Sequence, residues 1–115
     1  VASSTMILQQ YIMAVLYCAI DGPNWKNIFI LDGICEFAGV VCGPAVHIKM
    51  IMFNDRSLRG TIPWELSLLS VLTFLDVSGN FLEGTTPTEL GRLTALSELN
   101  VNGNALAGTI PTAPS

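Results

Sequence analysis

A 24-residue period constrains this chain more than any other feature of it. Leu72, Leu75, Val77, Asn80, Leu82, Gly84 and Pro87 return 24 positions later as Leu96, Leu99, Val101, Asn104, Leu106, Gly108 and Pro111. The same step taken backwards from Leu72, Leu75, Val77 and Leu82 lands on Ile48, Ile51, Phe53 and Leu58. Gly60-Thr61-Ile62-Pro63 likewise anticipates Gly84-Thr85-Thr86-Pro87 and Gly108-Thr109-Ile110-Pro111. One column fails, because Arg56 stands where the later units have Asn80 and Asn104. A fixed period in this range signals a solenoid, in which each unit buries its apolar edge only against its neighbours. The expectation is an α/β solenoid of three coils, the first of them degenerate.

Each column of the repeat has a physical role. Leu-x-x-Leu-x-Leu sends three apolar side chains inward around a short strand, and strands of successive coils stack at about 4.8 Å into a parallel sheet. Asn80 and Asn104 are expected to point inward at the turn and bond backbone groups that lack a sheet partner, since a buried amide is tolerable only when bonded. Gly-x-Ile-Pro supplies permissive dihedrals and then a fixed φ, so the chain bends again. Leu66, Leu69, Leu90 and Leu93 complete the core from the opposite side.

Ahead of the repeats, Ile7, Leu8, Tyr11, Ile12, Val15, Leu16 and Ala19 recur at helical spacing and predict a helix with one broad apolar face. Asp21-Gly22-Pro23 is its expected stop. The apolar run Met6–Ile20 is 15 residues long and interrupted by Gln9 and Gln10, too short for a membrane span of about 20. A start at Val1 is what an already removed upstream segment would leave. Of three cysteines, Cys35 and Cys42 flank a short Gly-bearing loop and read as a disulfide, since a metal site would want Cys-x-x-Cys pairs or several histidines and His47 is alone. That pairing favours an oxidising compartment. Cys18, within the apolar run, reads as a buried thiol.

Only 12% of residues are charged, against roughly 25% in an average soluble chain, which suggests surface covered by further repeats or by a partner. The net charge is −4 and the five Lys and Arg residues are scattered, leaving phosphate neutralisation, and so nucleic-acid binding, little to work with.

The wording Leu-x-x-Leu-Asp-Val-Ser-Gly-Asn-x-Leu-x-Gly-Thr-x-Pro-x-Glu-Leu-Gly-x-Leu-Thr-x-Leu, from Leu72 onward, resembles the plant-type leucine-rich repeat (LRR) family. The preceding part is similar to that family's N-terminal cap, with Asp21-Gly22-Pro23-Asn24-Trp25 after the helix and Cys35-Glu36-Phe37-Ala38-Gly39-Val40-Val41-Cys42 as the disulfide loop. Phe37 replaces the usual Trp, and Cys18 is not expected in the family. The resemblance runs from about Met6 to Pro111. It implies a right-handed coil with a parallel concave sheet, a second short strand set, and a helical cap over residues 1–46 followed by three repeats over 47–115. It also implies an extracytoplasmic protein that binds macromolecules, without catalytic residues, cofactor or metal. With no C-terminal cap over Leu106 and Ile110, the end is expected to be covered by further repeats or by a larger complex.

Binding in such a coil would use outward positions of the concave strands, which strand alternation places in columns. These are Met50, Phe74 and Glu98; Met52, Asp76 and Asn100; and Asn54, Ser78 and Asn102, with Lys49 flanking. Met50, Met52 and Phe74 would form an apolar patch beside an acidic, amide-rich edge, the kind of patch that marks protein contact. The bland alternative is that Met50 and Phe74 simply pack on each other or against the cap loops. Trp25 and Trp64 are read as structural plugs. Two further functional readings are a structural subunit buried in a large assembly, and a carbohydrate or ice binder using Thr61, Thr85, Thr86 and Thr109 as a flat row.

Overall fold

The computed structural model describes residues 4–20, 35, 39–44 and 47–107. The Asp21-Gly22-Pro23 stop, Trp25, Phe37 and the Gly108–Pro111 turn of the third coil lie outside the described residues. Among the described residues, one α-helix, α1 (Ser4–Ala19), precedes seven strands: β1 (Val40–Cys42), β2 (Ile48–Met52), β3 (Arg59–Gly60), β4 (Phe74–Asp76), β5 (Phe81–Thr85), β6 (Glu98–Asn100) and β7 (Ala105–Ala107).

The strands form two sheets that contribute to one core. In the first, the order is β1-β2-β4-β6. β2, β4 and β6 run parallel with Met50 opposite Phe74 and Phe74 opposite Glu98, a step of 24 residues per coil. β1 joins the edge of β2 antiparallel, with Val40 opposite Ile51 and Val41 opposite Met50. In the second sheet, β3-β5-β7, the step is 22: Arg59 lies opposite Phe81 and Glu83 opposite Ala105. The two sheets therefore shear by two residues per coil relative to each other. Because side chains alternate with a period of two, that shear leaves the inward set facing inward.

Ile48, Ile51, Phe53, Leu58, Leu72, Leu75, Val77, Leu82, Leu96 and Val101 are buried in that continuous core. Short 3-10 helices at Trp64–Leu68 and Thr88–Arg92 follow Pro63 and Pro87 and send in Leu66 and Leu90. Proline suits this position because its fixed φ enters the turn and its missing N–H would have no partner there.

Helix α1 closes the first coil by a face that keeps Ile12 and Leu16 of the predicted one, with Val15 and Ala19 half-buried, and turns the rest of it away. Ile12, Met13, Leu16 and Ile20 are buried together with Gln9, while Ile7, Leu8 and Tyr11 are exposed. Gln9 decides the orientation: its Oε1 accepts the buried N–H of Ile48 at 2.7 Å, at the start of β2. At the other end of the helix, the Ala19 carbonyl, one of the orphans of a helix C-terminus, accepts Thr61 N–H at 3.0 Å. Gly60 makes that approach possible, since a Cβ there would fall on the Ala19 carbonyl. Cys18 lies about two residues round from the buried stripe and is exposed with a free thiol, which corrects its reading as a core residue. Cys35 and Cys42 form the disulfide.

Candidate binding surface

The outward face of the first sheet is built by the alternation that buries the core. In β2 and β4 the inward side chains are Ile51 and Leu75, so Met50, Met52, Phe74 and Asp76 face out, and each is half-buried. Glu98 and Asn100 continue the two rows on β6. Lys49, Asn54 and Asn102 are exposed and Ser78 is half-buried. One row therefore reads Met50–Phe74–Glu98 and the next Met52–Asp76–Asn100.

The sequence reasoning missed Val41. It lies on β1 directly opposite Met50 and is 40% exposed. Opposite residues of an antiparallel pair share a face, so the first row becomes Val41–Met50–Phe74–Glu98: three apolar side chains and then a carboxylate. The available signal is the pair of β-branched residues Val40-Val41 inside the disulfide loop.

Several polar groups on this face are already committed to local structure. Asp76 Oδ1 accepts from Ser78 N at 2.9 Å and from Ser78 Oγ at 2.6 Å. Asn100 Oδ1 makes the matching bond from Asn102 N at 3.1 Å. Both fix the chain where it leaves the strand, the Asx-turn chemistry that short polar side chains offer. Lys49 lays its stem against Gly43, toward the β1 edge and away from Glu98.

Behind the rows stands the amide ladder. Asn80 Oδ1 accepts from Arg56 N and Leu58 N, and its Nδ2 donates to the carbonyls of Phe53, Val77 and Ser78. Asn104 repeats this one coil on, accepting from Leu82 N and donating to Val77, Val101 and Asn102 carbonyls. Each amide reaches back to the preceding coil. The first coil has none before it, which is why Arg56 can occupy that column. The Arg56 guanidinium lies 5.0 Å from the centre of the Phe53 ring, and burial pulls its pKa down from the ordinary value.

His47 is half-buried in the turn before β2, where its carbonyl accepts Gly43 N–H. Among the described residues no group of three or more His, Cys, Asp or Glu side chains could hold a metal, and no helix is long and apolar enough to cross a membrane. The threonines do not line up as a row. Thr86 is buried, and the residue in register with Thr85 is Ala107. Thr109 lies outside the described residues.

Comparison with known proteins agrees with this architecture. The family model "Leucine Rich Repeat" matches residues 71–93. The rice (Oryza sativa subsp. japonica) receptor protein kinase WSS1 is 43% identical over 53 residues, which are 44% of this chain and 6% of that protein. The Arabidopsis thaliana leucine-rich repeat extensin-like protein 3 is 34% identical over 79 residues, 64% of this chain and 10% of that one. Among solved structures, a chain of the Arabidopsis thaliana BIR3–SERK2 complex superimposes with a TM-score of 0.76 at 29% identity, over 87% of this chain and 58% of the other. The chain thus spans a small fraction of the curated relatives it matches. Repeat wording, stacked parallel strands and the Cys35–Cys42 loop ahead of them agree with these comparisons: this chain has a leucine-rich repeat fold and is similar to plant-type leucine-rich repeat proteins.

Proposed function

We propose that this chain is a non-enzymatic recognition module that binds a protein partner through the outward face of its first sheet. One observation carries the reading: Val41, Met50 and Phe74 occupy one register row on a solvent-facing sheet, beside Met52 and bordered by Asp76, Glu98, Asn100 and Asn102. An apolar patch with a polar rim is the composition of a protein contact surface. The relatives support it, since one of them is named a receptor protein kinase and one solved structure is a complex of two proteins, BIR3 and SERK2.

In the organisation we propose, residues 1–46 form an N-terminal cap and residues 47–115 form three 24-residue coils wound right-handed, with α1 and the disulfide loop closing the first. Leu99 and Leu106 in the third coil are half-buried where Leu75 and Leu82 in the second are fully buried. Further coils or a complex subunit covering that side would complete their burial. The disulfide and the receptor-type relatives favour an extracytoplasmic location. The module uses no metal or cofactor. The misaligned threonines give the carbohydrate- or ice-binding reading no support.

The double substitution Met50→Asp with Phe74→Asp tests the reading. Both side chains are half-buried and outward, so the variant keeps its thermal midpoint within a few degrees. Binding to the partner isolated from the native source falls at least about tenfold, the loss expected when central apolar anchors are replaced by charge. Undiminished binding by a folded double variant refutes the assignment.

A further inference from the structure

Resting on that surface, the structure assigns a chemistry to what it accepts: an extended polypeptide segment with a bulky apolar side chain and, two residues along, a lysine or arginine. The sheet face is polarised across its strands. Val41, Met50 and Phe74 make the row apolar over β1, β2 and β4, and the same row turns acidic at Glu98 on β6. The neighbouring row turns acidic one strand earlier, at Asp76. Glu98 is exposed, and its carboxylate has no hydrogen bond or ion pair among the described residues. Asp76, outward on the same side of the sheet, bonds Ser78 through Oδ1, and its Oδ2 has no hydrogen bond among the described residues. Lys49, the cation nearest in sequence to these rows, is folded along Gly43 at the opposite edge.

Spacing converts this polarity into a motif. Strands lie about 4.8 Å apart, so the point between Met50 and Phe74 is about 7 Å from Glu98. An extended chain advances about 6.7 Å in two residues, and residues i and i+2 point to the same side. A segment lying across the strands therefore seats an apolar side chain on Val41, Met50 and Phe74 and places its second-next side chain between Glu98 and Asp76. Two carboxylates facing that site favour a cation and repel an acid, which is how charge on an interface rim selects partners.

Selection of displayed random heptapeptides against the full chain, in parallel with its Glu98→Lys and Met50→Asp variants, tests the motif. Circular dichroism first establishes that both variants are folded. The wild type should enrich apolar-x-Lys/Arg. Glu98→Lys should keep the apolar position, replace the basic one with Asp or Glu, and bind the wild-type consensus peptide about tenfold more weakly at low salt. Met50→Asp should lose the apolar position. Absence of enrichment, or a basic preference that Glu98→Lys leaves unchanged, overturns the inference. If Met50→Asp alters the selected pool and Glu98→Lys does not, the charge assignment falls while the contact surface stands. If neither variant alters it, the peptides sit elsewhere and both readings fall.

Discussion

Removing the Asn80 amide should destabilise the fold more than removing Asn104, although the two occupy the same column of the repeat. Asn80 makes five side-chain bonds to backbone, two accepted and three donated, and the residue is 4% exposed. In Asn80→Ala, Val77 O keeps a donor, Asn104 Nδ2, while Arg56 N and Ser78 O lie where water can reach. Leu58 N and Phe53 O are buried and lose the partner that the amide supplied. An unsatisfied buried polar group costs about 1–3 kcal/mol, so two of them cost about 2–6 kcal/mol. Asn104→Ala strips bonds that are only partly buried, and Val77 O there retains Asn80, which gives about 1–2 kcal/mol. Urea unfolding followed by circular dichroism measures both, compared at equal m-value so that the difference reports the native state. An Asn80→Ala loss below about 1 kcal/mol, or one smaller than that of Asn104→Ala, would show that the ladder does not carry the coil-to-coil connection described here.

Two further perturbations probe the frame. The Cys35–Cys42 bond spans a sequence separation of 7, and closing so short a loop is worth about 2–3 kcal/mol. Reductant should lower the urea midpoint accordingly and accelerate amide exchange at Met52, whose N–H bonds the Gly39 carbonyl in the tethered segment, and at Gly43, which follows Cys42 and bonds the His47 carbonyl; unchanged exchange at those two amides would argue that β1 is held without the disulfide. Gly79→Ala and Gly91→Ala should shift the thermal midpoint in opposite directions. Gly79 has φ +70° and a Cβ there falls on the Asp55 carboxylate, whereas a Cβ at Gly91 meets nothing. A left-handed alanine costs about 1–2 kcal/mol, and an unstrained Gly→Ala gains about 0.4–1 kcal/mol.

The periodic part of the structure could be read from the sequence because its contacts recur at a fixed separation. Met50, Phe74 and Glu98 face one another because each is one position before an inward Ile51, Leu75 or Leu99, and that relation is local. The second sheet could not be aligned from the same repeat. Its 22-residue register arises from how adjacent coils lie over one another, and identical Thr positions in the sequence therefore fall out of line in space. Loss of the Asn column at Arg56 looked like decay of the repeat. With each amide reaching back one coil, that position has no preceding coil to serve, and the column is free to hold Arg56.

The helix shows where local pattern runs out. In α1, apolar residues occupy almost every direction around the axis, so periodicity alone cannot choose a face. Choosing Ile7, Leu8 and Tyr11 as core would turn Gln9 outward, the usual place for an amide. The opposite orientation holds because the buried N–H of Ile48, at the start of β2, takes its acceptor from Gln9, 39 residues earlier in the chain. A buried unpaired N–H costs about as much as burying one apolar side chain gains. One polar bond at the start of the sheet can therefore outweigh the exposure of Ile7 or Tyr11. The same exchange leaves an apolar face on the outside of α1, a result that the non-local need of Ile48 explains and the helix's own sequence does not.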